Sequence, residues 1–89
     1  MAYFEQVDVA AAMPVEAAAA PEVLFELGMM YSTGRIVPMD FIAAHKFFNL
    51  AAAKGYPAAA RLRREVAEMM SEPDIAEAQR AARAWMTMH

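Results

Sequence analysis

The stretch "LGMMYSTGRIVPMD", Leu27 to Asp40, restricts the fold more than any other part of the chain. It opens with apolar residues at helical spacing and breaks at Gly34 and Pro38. It closes on Asp40, a residue type that caps helix starts. Its 14 residues stop one helix and launch another, and they hold no catalytic constellation. Ser32 and Thr33, for example, have no histidine and acid arranged as a triad requires. The stretch reads as the corner of a helical hairpin.

The same punctuation divides the rest of the sequence. Pro21 suits the first turn of a helix over Glu22 to about Thr33, with Glu22 at the positive end of its dipole. Val23, Leu24, Leu27, Met30 and Tyr31 form its apolar stripe, and Gly34 ends it. A second helix covers Phe41 to Lys54, capped by Asp40 and stopped by Gly55. Phe41, Ala44, Phe48, Ala51 and Ala52 line one face, and Phe47 and Leu50 widen it. A third covers Pro57 to Met70, with the stripe Ala59, Leu62, Val66, Met69 and Met70. Its other face carries Arg61–Glu65 and Arg64–Glu68 at the spacing of ion pairs along a helix. "SEPD" then starts a fourth, with Ser71 as cap and Pro73 in the first turn. That helix runs to about Met88, with Ile75, Ala78, Ala82, Trp85 and Met86 on one face. Alternation at period two never lasts, and β-branched residues are sparse, so no strand is expected. The expected fold class is all-α, with about four helices.

Residues 1–20 differ from this pattern. "AAAMPVEAAAAP" sets an alanine run between Pro14 and Pro21 and has no large apolar residues at helical spacing. It reads as an Ala/Pro-rich leader with little reason to fold alone. Tyr3, Phe4, Val7 and Val9 give it something to dock with. Residues 21–89 are the helical domain.

Composition narrows the function classes. In an 89-residue chain that is 60% hydrophobic, much of the apolar content is alanine. Alanine buries little area, so the core rests on a few larger side chains and gains from a partner. The absence of cysteine removes disulfides and thiolate metal sites. No stretch approaches the ~18 apolar residues of a membrane span, and the N-terminus lacks the basic start and apolar run of a signal peptide. The expected location is the cytoplasm. Residues 1–26 hold five acids and no base, whereas residues 27–89 hold eight bases and six acids, a balance of +2. That is too weak for a nucleic-acid surface.

Leu27, Gly28, Tyr31, Gly34, Val37, Asp40, Ala44, Phe47, Phe48, Ala51, Ala52 and Gly55 together resemble a Sel1-like repeat, a relative of the tetratricopeptide repeat. The family's pattern is roughly L-G-x-x-Y-x-x-G-x-G-V-x-x-D-x-x-K-A-x-x-W-Y-x-x-A-A-x-x-G. The match covers about residues 23–59. Ile36 stands where that pattern has its second loop glycine, Ala43 replaces the usual lysine, and Phe47-Phe48 replace Trp-Tyr. After Gly55 the motif does not return; "RLRREV" stands there instead. The resemblance implies a short α-solenoid of stacked helical hairpins, with one repeat over 21–56 and capping helices over 57–89. Small residues at 28 and 44 would let neighbouring helices approach closely. One repeat plus a cap falls below the usual ~3 units of a solenoid.

Such arrays bind segments of other proteins on the surface lined by the first helix of each pair. By that resemblance, Phe25 and Met29 would supply apolar contact, and Arg61 and Glu65 orientation, for a partner-binding role as an adaptor or regulator. The alternative is a small structural subunit bound permanently in a larger complex, membrane complexes included; a second copy of the chain is another admissible partner. An enzyme ranks last, because no convergent acid, base, nucleophile or metal set stands out. No cofactor is expected. His45, beside Lys46, reads as solvent-facing and not as a metal ligand. Trp85 reads as buried, with Met86 and Met88 beside it as an exposed patch.

Overall fold

The computed structural model of the chain describes residues 20–88. Most of the expected leader, including Tyr3, Phe4, Val7 and Val9, and the terminal His89 lie outside the described residues. Four helices follow in order: α1 Pro21–Thr33, α2 Phe41–Ala53, α3 Ala59–Ala67 and α4 Glu72–Met88. Among the described residues there is no strand. The all-α expectation and the four helices stand.

The helix ends follow local chemistry. Pro21 sits in the first turn of α1, where a missing N–H costs nothing. Gly34 ends that helix with φ 74°, and its N–H donates to Met30 O at 2.9 Å. Asp40 caps α2 by accepting from the Ala43 N–H at 3.1 Å. Past Ala53, Gly55 takes φ 89° and donates to Ala52 O, while the Tyr56 N–H reaches back to Ala51 O at 3.0 Å. This pair of bonds is the Schellman closure. Ser71 Oγ accepts from the Asp74 N–H at 3.2 Å and starts α4.

α2 is the hub. Ten of its 13 residues are apolar, which suits a helix covered on more than one side. It packs against α1, α3 and α4, whereas α3 and α4 lie mainly on α2 and hardly on each other. The expected second hairpin is therefore two helices that share a support. One cluster joins Leu24, Phe47, Leu50, Ala51, Ala59, Ala82 and Trp85. The other joins Ala44, Phe48 and Val66, with Tyr31, Phe41, Leu62 and Met70 against it. Phe48, Leu24 and Leu50 are the largest fully buried side chains.

Gly28 explains how α1 comes so close. A methyl built on its Cα would stand 2.5 Å from Phe48 Cε1 and 2.6 Å from Cδ1. The Phe48 ring therefore occupies the space that any larger residue at 28 would need. Tyr31 stacks on Phe47 with ring centroids 5.9 Å apart, which ties the C-terminal half of α1 to the same helix.

Four expectations need correction. Val23 is exposed, because the buried side of α1 is centred on Leu24 and Gly28 and position 23 falls to its flank. Met69 is also exposed. α3 ends at Ala67, and the tighter bonds Met69 N–H to Val66 O and Met70 N–H to Ala67 O rotate position 69 out of helical phase. At its other end α3 starts at Ala59, with Pro57 and Ala58 spent on the turn. Of the two ion pairs expected on this helix, Arg61–Glu65 forms at 3.0 Å, but Arg64–Glu68 does not form among the described residues.

Candidate functional site

The four residues expected to contact a partner divide into two kinds. Phe25 is half-buried. Its ring stacks on Tyr56 at 4.4 Å between centroids and tilts against Phe48 at 5.5 Å. Met29, also half-buried, packs on the Ala44, Phe48 and Val66 cluster. Both side chains hold α1 in place as well as facing outward in part. Arg61 and Glu65 are exposed and bond to each other, Arg61 NH1 donating to Glu65 Oε2 at 3.0 Å. Leu62, between them in sequence, reaches the same Phe48 cluster as Phe25 and Met29. α1 and α3 thus meet at Phe48, with an apolar contribution from one helix and a paired charge from the other.

A second surface lies at the corner between α1 and α2. Thr33 Oγ1 donates to Met29 O at 2.7 Å, Ser32 Oγ donates to the same carbonyl, and the Asp40 N–H donates to Tyr31 O at 3.0 Å. These bonds satisfy the last carbonyls of α1 and close the corner. At its tip stands Ile36, 89% exposed with φ 76°. A β-branched residue in the left-handed region is a true outlier, with a cost of roughly 1–2 kcal/mol. Met39, 57% exposed, is in the same corner. Val23, Met86 and Met88 are exposed as well, and Trp85 itself is buried as expected, in the cluster that includes Leu24. Sequence reasoning missed Ile36 as a surface feature. The available signal was an isoleucine at a loop position where the resembled repeat has glycine.

A third group is polar and lies between α2 and α3. Arg63 NH1 donates to Asn49 Oδ1 at 2.9 Å, which pins the guanidinium beside α2. One turn from Asn49 on α2, His45 is 3% exposed and not solvent-facing as expected. With three helices on α2, the covered arc is too wide to leave position 45 in water. Among the described residues, no group bonds its buried Nδ1. Burial, and after it the Arg63 charge, lower the imidazole below its ordinary 6.5.

The described residues contain no group of three or more histidines or acids placed to hold a metal, and no enclosed pocket. None of the described helices is long and apolar enough to cross a membrane. No protein-family profile, curated protein or solved structure matches the chain.

Proposed function

We propose that the chain is a Sel1-like protein-binding module, an adaptor or regulatory unit of the cytoplasm that holds a segment of another protein against a helix-lined surface. Ile36 carries the reading. An apolar side chain held in water on a strained backbone gains nothing for the isolated fold, and contact with a partner would bury it. The resemblance to the repeat adds support, because position 36, where the pattern has glycine, does adopt the positive φ that glycine tolerates. In this reading Phe25 and Met29 supply apolar area, and Arg61 with Glu65 sets the partner's orientation.

A photo-crosslinking residue placed at 36, 65 or 80 in the full chain tests the proposal in native extract. Adducts to one protein are expected from positions 36 and 65 and not from 80, and Ile36→Asp should abolish them. Equal adducts from all three positions, or none from 36, would refute it.

The small core favours one other reading, a subunit fixed permanently in a larger assembly, since among the described residues only Phe48, Leu24 and Leu50 are large and fully buried. Size-exclusion with light scattering separates the two. A folded monomer with a cooperative melt supports the exchangeable module and counts against the permanent subunit.

A further inference from the structure

We infer that His45 makes the seam between α2 and α3 acid-labile: the neutral imidazole lets the two helices close, and a proton on it loosens them.

The geometry supplies the reason. His45 is enclosed, and among the described residues its Nδ1 has no partner to accept a proton's hydrogen bond. The charge that faces it from α3 is Arg63, which cannot swing away without breaking its bond to Asn49. On its own helix the adjacent Lys46 lies over the Phe47 ring, with Nζ 4.6 Å from the centroid. Among the described residues, no carboxylate forms an ion pair or a hydrogen bond with the imidazole that would welcome a positive charge. A protonated His45 would therefore be a buried cation beside a half-buried one that is held in place. The structure can avoid this only by letting water in between α2 and α3.

The direction of the pH dependence follows. Burial and Arg63 lower the folded-state pKa of His45 below 6.5. The unfolded chain then binds more protons than the folded one in the interval between the two values. The stability from the neutral imidazole is complete above about pH 6.5 and is lost as the pH falls towards the folded-state value. Arg61 and Glu65 ride on α3, so the proposed partner surface would shift along with it; this last link rests on the protein-binding reading, whereas His45 is tested without any partner.

The test is an NMR titration of the imidazole protons in the full chain, combined with thermal melts between pH 7.5 and 5.5. His89 is the only other histidine, and His89→Gln assigns the two signals. We expect the His45 midpoint to lie below that of His89 and the melting temperature to fall with pH. His45→Leu should remove that fall, as should His45→Gln if the leucine variant does not fold. Arg63→Gln should raise the His45 midpoint part of the way back. A His45 midpoint at or above that of His89 would overturn the inference, and so would a pH-dependent melt that survives replacement of His45.

Discussion

The chain takes seven residues, 34–40, to turn from α1 to α2, and five, 54–58, to turn from α2 to α3. Both turns rely on a glycine with positive φ. At Gly55 the geometry is closed at once, because two backbone bonds tie Gly55 and Tyr56 to the last turn of α2 and Tyr56 lies on the core. At Gly34 one backbone bond to Met30 ends the helix, and the corner closes only at Asp40, whose N–H donates to Tyr31 O, after the chain has placed Ile36 in a second left-handed conformation in full view of water. The second corner is what helix termination requires. The first includes a strained residue that termination does not require, and for this reason we read it as the working surface.

The sharpest way to break the comparison is Gly28→Ala, which attacks the first corner through the helix that leads into it. Alanine gains about 1 kcal/mol in helix propensity. The new methyl meets a fully buried ring that has nowhere to go, and overpacking of that kind costs up to about 3 kcal/mol. The clash wins, so a net loss of about 2 kcal/mol is expected in urea denaturation, with the Tyr31–Phe47 contact disturbed. Next is Gly55→Ala. The space around Gly55 is open, so the left-handed backbone alone sets a loss of roughly 1–2 kcal/mol. Gly55→Asn should recover much of it.

Ile36→Gly should change the sign. It removes the strain without losing a contact, but it loosens the unfolded chain. The balance is a gain of about 1 kcal/mol by thermal melt. A loss would mean that Ile36 is supported within the chain, and the contrast between the corners would disappear. Asp40→Ala removes the cap where the first corner hands over to α2 and should cost about 1 kcal/mol. The smallest effect is Arg61→Gln. Its exposed pair with Glu65 should contribute less than about 0.5 kcal/mol, so a change in partner binding there would not be a folding artefact.

Turns and caps were legible in the sequence because each rests on chemistry within a few residues. Pro21, Gly34, Asp40, Gly55 and Ser71 take the structural roles that their types suggest. The near contact at Gly28 was also legible, through the small size of residues 28 and 44. The arrangement of α3 and α4 was not, since a stripe such as Ala78, Ala82 and Trp85 states that a face is buried without naming what buries it. His45 was misread for the same reason. Its exposure depended on how many neighbours α2 has, a property of the assembled molecule that no window on one helix contains. The four proposed partner contacts were reached through the resemblance to a repeat, and the structure sets Phe25 and Met29 against the same cluster as Leu62 on α3.

A central helix that all the others need has a further consequence. Any fragment that lacks residues 41–53 leaves its remaining helices with almost nothing to lean on, and any fragment that ends at Gly55 leaves Leu50 and Phe48 partly bare. Such a chain has no smaller half that can form first and wait. It is expected to assemble and come apart as one unit, and truncated versions should be poor reagents for testing the proposed partner binding.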